Sequence, residues 1–185
     1  MLTKNLQKAL DALQSGGVIA YPTESVWGLG CDPFDPLAVE RILRLKQRTV
    51  EKGLIVVAAS IEQVDALLRP LSSEQRALLK STWPGPTTWL LPDPDQCFPI
   101  WIHGSFSSVA VRVSAHPVVR QLCGAFGGPL VSTSANPAMM PPARSRLRVL
   151  QWFGRHVDFV LPGRLGGNIK PSTIRDLQSG KMVRS

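Results

Sequence analysis

Apolar runs of strand length alternate along this chain with helix-start signals, and that alternation restricts the fold more than any other feature. "VIAYP" (18–22), "GLIVVAA" (53–59), "TTWLL" (87–91) and "SVAVRV" (108–113) are too short for buried helices and carry many β-branched residues. Between them lie helical patterns. Leu2, Leu6, Leu10 and Leu13 make one stripe, closed by Gly16–Gly17. Asp35–Pro36 sets an N-cap before a proline at the first helical position, and Val39, Ile42 and Leu43 then share a face. Ser60 with Gln63, and Ser72 with Gln75, are capping-box patterns that predict two more helix starts. Helices are also expected over 116–126 and 143–153, and strands over 129–134, 157–161 and 172–177. "LPDPDQCFP" (91–99) and "NPAMMPP" (136–142) are loops. Interleaving of this kind predicts an α/β fold, a single-domain open twisted mixed sheet with flanking helices over residues 1–185.

An apolar fraction of 44% is enough for a sizeable core, yet no run approaches the ~18 apolar residues of a membrane helix. "MLTKNLQKALDALQSGG" alternates charge with leucine and lacks a continuous apolar stretch, so it reads as a helix and not as a signal peptide. Cys31, Cys97 and Cys123 are odd in number and never form C-x-x-C, which argues against a disulfide framework or a zinc site and fits a reducing, cytoplasmic location. The net charge is +8 and is unevenly placed. Residues 1–140 hold 12 Lys and Arg against 11 Asp and Glu, whereas residues 141–185 hold 9 against 2. Arginine outnumbers lysine 14 to 7, and the guanidinium is the better fork for phosphates and carboxylates. A polyanionic partner follows, either RNA or a small phosphorylated ligand; a solvated basic face is the plainer alternative.

Four stretches are candidates for chemistry. In "LKQRTVEKGLIVV" (45–57), Lys46 and Arg48 stand two apart at the mouth of an apolar strand. A helix running through 48 would put Lys46 on the apolar face and Arg48 about 160° away. A helix ending near Leu45 would leave the segment extended, with both cations on one side as a phosphate clamp. In "VSTSAN" (131–136), Ser132, Ser134 and Asn136 alternate, so an extended chain aims three short polar side chains one way; an ordinary polar turn before Pro137 is the competing reading. Arg112 interrupts an apolar strand and needs an anion beside it, either a protein carboxylate or a substrate carboxylate. "YPTESVWGLG" (21–30) carries Thr23 and glycines at 28 and 30, but matches neither common phosphate-loop pattern. No nucleophile–histidine–acid order is visible, and His103, His116 and His156 lack metal-ligand spacing and read as structural or surface residues. Cys31 has no partner for nucleophilic chemistry. Groups that bind anions without a nucleophile point to chemistry by positioning and charge stabilisation.

These stretches, in this order, resemble the YrdC-like family of threonylcarbamoyl-AMP synthases. The matching segments are "AYPTESVWGLGCDP", "LKQR" with "KGLIVVAA", "WPGPTTWLLP", "AVRVSAHP", "PLVSTSAN" and "PSTIRD", which together span nearly the whole chain. The chain is most similar to the short, single-domain bacterial type. The resemblance implies that threonine, bicarbonate and ATP are joined into threonylcarbamoyl-adenylate with release of pyrophosphate. Partner proteins would then move the threonylcarbamoyl group to adenosine 37 of tRNA. It implies that Lys46 and Arg48 hold ATP phosphates and carry catalysis, and that Ser132, Ser134 and Asn136 face the nucleotide phosphates. It implies further that Arg112 holds the threonine carboxylate, that Thr23 and Ser172 line the threonine pocket, and that Mg²⁺ shares the phosphate charge without an evident protein ligand. The chain departs from the family pattern in two places. Thr49 stands where proline often follows K-x-R, and Ala138–Met139 replaces the Ser-Gly of S-A-N-x-S-G. Arg164, in the glycine-rich stretch 162–168, is a further candidate for a phosphate contact. Two other readings compete: a basic module that grips tRNA or double-stranded RNA without chemistry, and a sugar-phosphate lyase, for which Glu24 and Asp32 make a poor metal site.

Overall fold

The structure, a computed structural model, describes residues 3–167 and 172–184. Leu2 of the first leucine stripe, Asn168 of the glycine-rich stretch and Pro171 of "PSTIRD" lie outside the described residues.

Helix α1 (Lys4–Gln14) starts at Thr3, whose hydroxyl accepts from the Leu6 amide, and buries Leu6, Leu10 and Leu13. Strands β1 (Ile19–Pro22) and β2 (Trp27–Gly30) follow. Helix α2 (Pro36–Lys46) is capped by Asp35, whose carboxylate accepts from Leu37 and Ala38, with proline in its first turn. Strand β3 (Ile55–Ala58), the single turn α3 (Asp65–Leu68), α4 (Ser73–Thr82) and β4 (Thr87–Pro92) come next. The short α5 (Ile100–His103), β5 (Ser108–Val113) and α6 (Pro117–Phe126) lead to β6 (Leu130–Val131) and β7 (Thr133–Ser134). Helix α7 (Arg146–Phe153) and strands β8 (Phe159–Val160), β9 (Thr173–Asp176) and β10 (Met182–Arg184) complete the order.

The expected mixture of mixed sheet and flanking helices is present, and the strands divide between two sheets. One has the order β7-β2-β1-β8 and the other β10-β9-β4-β5-β3-β6. Each mixes parallel and antiparallel pairs: β1 runs antiparallel to β2 and parallel to β8, while β5 runs parallel to β3 and antiparallel to β4. Trp27, Trp89, Val109, Val111 and Val113 belong to the larger core, and α1 and α6 pack a second core with Ile19, Val57 and Leu130.

The sheets meet where one strand changes allegiance. The amide of Ser132 donates to Ile55 of the larger sheet at 2.8 Å, and the amide of Ala135 donates to Trp27 of the smaller one at 2.7 Å. The single strand expected over 129–134 is therefore two, β6 and β7, one in each sheet. β2 is a further strand, in a stretch where Gly28 and Gly30 of "WGLG" carry no strand signal of their own; it pairs with β1 throughout. Gly30 permits that junction: a Cβ there would lie 2.5 Å from the Val131 carbonyl oxygen and 2.7 Å from Tyr21.

Of the two capping-box patterns, Ser72–Gln75 closes in both directions. Ser60 makes no side-chain cap. Gln63 instead accepts from the Ala59 amide and donates to the Cys123 carbonyl, so only a 3₁₀ turn, Ile61–Val64, begins there. The helix expected over 143–153 starts later, at Arg146, because the Ser145 hydroxyl caps the Arg148 amide.

Candidate active site

A cavity of about 170 Å³ opens at the junction of the sheets. The turn after β1 supplies Thr23, Ser25 and Val26, and the β6–β7 crossing supplies Ser132, Thr133 and Ser134. Arg48 arrives from the end of α2, Arg112 from β5, Ser172 from just before β9 and Arg184 from β10. Six positions singled out in the sequence, Thr23, Arg48, Arg112, Ser132, Ser134 and Ser172, thus line one hollow although they span 150 positions of chain. Arg48, Leu54, Ile55 and Arg184 are also walls of a neighbouring, more apolar cleft of about 200 Å³.

The geometry of Lys46 and Arg48 matches neither arrangement considered above. α2 continues through Lys46 and stops at Gln47, which takes the left-handed backbone conformation at φ 48. Lys46 is therefore buried with Val39 and Ile42, as a continued helix requires. The left-handed residue then turns the chain, so Arg48 leaves the helix surface and reaches the cavity. Its guanidinium is steadied by the carbonyls of Gly53 at 2.9 Å and Lys52 at 3.2 Å.

Lys46 stands behind the cavity wall and not on it. Its ammonium donates to the Ser134 carbonyl, to the Asn136 carbonyl at 3.1 Å and to Asn136 Oδ1 at 3.2 Å, which occupies all three of its donors. Asn136 does not line the cavity; its Oδ1 also accepts from the Ser134 hydroxyl at 2.6 Å, and its amide donates to Met140. Lys46 and Asn136 therefore tie α2 to the loop that presents Ser134. Burial first, then the nearby Arg48 guanidinium, pulls the Lys46 ammonium down to about 8. Burial and Arg184 likewise lower Arg48 from the ordinary guanidinium value.

Arg112 meets a protein carboxylate. Glu24 Oε2 lies 3.4 Å from its guanidinium, and both groups are buried. Burial pushes the Glu24 carboxyl up, but Arg112 and the Ser114 hydroxyl outweigh it and hold the group below the usual carboxylate range. Arg112 still faces the cavity, so one guanidinium serves an internal anion and an open space. Ser172 accepts from the Thr88 hydroxyl at 3.1 Å, and Thr23 donates to the Val26 carbonyl at 2.7 Å.

Several readings from sequence fall elsewhere. Arg164 is exposed and absent from the cavity wall; its carbonyl accepts from the buried His116 ring at 3.1 Å. His103 is a buried partner of Asp93 at 2.9 Å. Cys31 is enclosed, and burial raises its thiol far above the ordinary value. Met139, where the family pattern carries glycine, is exposed at φ 63, a left-handed conformation that glycine adopts freely. Arg184 was missed because one arginine on a three-residue exposed strand carries no periodic signal.

Residues 11–185 match the Sua5/YciO/YrdC family model, described as Telomere recombination. The chain belongs to this family. Within it, the chain is 56% identical over 179 residues to the threonylcarbamoyl-AMP synthase of Marinobacter nauticus, covering 97% of this chain and 94% of that one. The threonylcarbamoyl-AMP synthase of Pseudomonas aeruginosa is 56% identical over 178 residues, covering 96% of this chain and 95% of that one. Among solved family members, the structure of P. abyssi Sua5 complexed with L-threonine has a TM-score of 0.87 at 32% identity over 96% of this chain. The chain spans about half of that Sua5, 53% of its length. E. coli YciO has a TM-score of 0.82 at 26% identity, covering 97% of this chain and 88% of its own.

Proposed function

We propose that this chain makes threonylcarbamoyl-AMP and pyrophosphate from L-threonine, bicarbonate and ATP. The observation that carries the reading is the joint cavity: the hydroxyls of Thr23, Ser132, Ser134 and Ser172 and the guanidiniums of Arg48, Arg112 and Arg184 converge on it from distant parts of the chain. Several guanidiniums among hydroxyls suit a ligand that carries both a carboxylate and a phosphate chain. Arg112 takes the threonine carboxylate, while Thr23 and Ser172 line the amino-acid pocket. Arg48 takes ATP phosphates directly, with Arg184 beside it. Ser132 and Ser134 face the phosphate oxygens, Ser134 donating to one only once its hydroxyl turns from Asn136 Oδ1, while Asn136 and Lys46 hold the Ser134 loop and Lys46 adds positive charge behind it.

The amine of threonine condenses with bicarbonate, losing water, to give a carbamate. A carbamate oxygen attacks the α-phosphorus, the bond to the β-phosphate oxygen breaks, and pyrophosphate leaves with the electron pair. The protein contributes alignment and neutralisation of the phosphate charge, not a nucleophile. Mg²⁺ enters as part of the MgATP substrate, which usually keeps its ion on phosphates and water. Among the described residues no cluster of three His, Cys, Asp or Glu offers it a cage. The adenylate then passes to partner proteins that place threonylcarbamoyl on N6 of adenosine 37 in tRNA, in the cytoplasm. Among the described residues no helix is long and apolar enough to cross a membrane.

The test is pyrophosphate release by the pure protein with MgATP and bicarbonate, with and without threonine and with no RNA present. Threonine-dependent release is expected; Arg48→Ala should weaken ATP use at least about tenfold, the loss of one charged contact, and Lys46→Ala should weaken it by a similar factor by releasing the Ser134 loop and removing the charge behind it. Absence of threonine-dependent release overturns the reading. RNA binding that falls steeply with salt would then favour a binding module built on the basic C-terminal quarter.

A further inference from the structure

Glu24 and Ser114 have no role in the scheme above, yet they form a buried polar cluster against a cavity residue. Arg112 and Ser114 are two apart at the end of β5 and project to one side. Glu24, on the turn after β1, faces both. Its Oε1 accepts from the Ser114 hydroxyl at 2.6 Å. Ser114 is fully enclosed and is itself fixed, because its oxygen accepts from the His116 amide at 3.1 Å and its own amide donates to Ala58 at 3.0 Å.

The second oxygen is the unusual one. Glu24 Oε2 stands 3.4 Å from the Arg112 guanidinium, beyond the ~2.7–2.9 Å of a charge-assisted hydrogen bond. It is buried without a hydrogen-bond partner, and so is Arg112 Nε. Buried polar atoms are normally satisfied, and a carboxylate this close to a guanidinium normally closes into a fork. Here the grip of Ser114 on Oε1 holds the carboxylate back. Arg112 receives the charge that its burial requires without surrendering its donors.

We propose that Glu24, held off by Ser114, is a positioning residue that keeps Arg112 oriented and open to the carboxylate of the amino-acid substrate. The proposal rests on the reading of this cavity as a threonine site. A tight Glu24–Arg112 fork would occupy the same donors the substrate needs. No carboxylate at all would leave a buried guanidinium uncompensated and free to turn away. The observed spacing lies between those two states, and Ser114 sets it.

A double-mutant cycle tests the proposal, read by threonine titration calorimetry, steady-state kinetics and thermal melting. Wild-type protein should bind threonine; if it does not, the functional reading fails before this one is reached. Glu24→Gln should weaken threonine binding at least about tenfold and raise KM for threonine, with KM for ATP and kcat at saturating threonine little changed. Ser114→Ala should also weaken threonine binding, because the freed carboxylate closes on Arg112. In the Glu24→Gln background Ser114→Ala should add nothing, since no carboxylate remains to close. Threonine affinity within about twofold of wild type in either single variant overturns the proposal. So do additive losses, or a rise in both KM values accompanied by a lowered melting temperature, which mark a merely structural cluster. If Glu24→Gln fails to fold, Ser114→Ala carries the test alone: unchanged threonine affinity overturns the proposal.

Discussion

Burial of Lys46 has opposite consequences for stability and for binding. Its ammonium titrates near 8 in the folded protein, against 10.5 for an ordinary lysine. Between those values the unfolded chain holds more protons than the folded one, so this residue makes stability rise with pH through the window. Below about 8 that contribution is lost, because the folded state then carries a buried charge. Phosphate attraction runs the other way and weakens as the ammonium loses its proton. KM for ATP is therefore expected to climb as pH passes upward through about 8, with no loss of melting temperature attributable to Lys46 over the same range. Kinetics from pH 7 to 9.5 beside thermal melts check this; a flat KM for ATP would show that the Lys46 charge is not used. Candidate residues of this kind were legible in sequence because a cation on an apolar helical face is anomalous. Glu24 and Ser114 were not, because a lone Glu and a lone Ser in short loops have no pattern to violate.

At the end of α2 one residue decides where two cations go. Gln47 holds φ 48, which costs an L-residue about 1–2 kcal/mol, and glycine would remove that penalty at about 0.4–1 kcal/mol in unfolded-state entropy. Gln47→Gly is accordingly expected to stabilise the protein by about 0.5–1 kcal/mol and to leave ATP use intact. Denaturant unfolding with a kinetic control measures both; a destabilised variant would mean that the Gln47 side chain, and not the turn, secures the helix end. The helix starts were readable because capping is local chemistry: Asp35 and Ser72 bond to amides two or three residues ahead. β2 was not readable, because two glycines remove the side chains on which period-two alternation depends, and only pairing with β1 makes "WGLG" a strand.

The cavity exists because two sheets share a crossing strand, which makes Gly30 a determinant of the whole assembly. An alanine Cβ at 2.5 Å from the Val131 carbonyl would force β2 away from the crossing that carries Ser132. Gly30→Ala should cost about 1–3 kcal/mol or more and weaken threonine and ATP together, as unfolding curves and ligand titrations would show. Unaltered ligand affinity in a folded Gly30→Ala protein would separate the junction from the site. Sequence alone determined the α/β class, most helix starts, the strand cores and the excess of positive charge. Each of these is written in local periodicity, capping or composition. Tertiary structure decided the division into two sheets, the retreat of Lys46 and Asn136 behind the wall, the arrival of Arg184 and the pairing of Glu24 with Arg112. Those depend on which distant segments approach one another, and contacts between residues tens of positions apart leave no mark on the spacing within either segment.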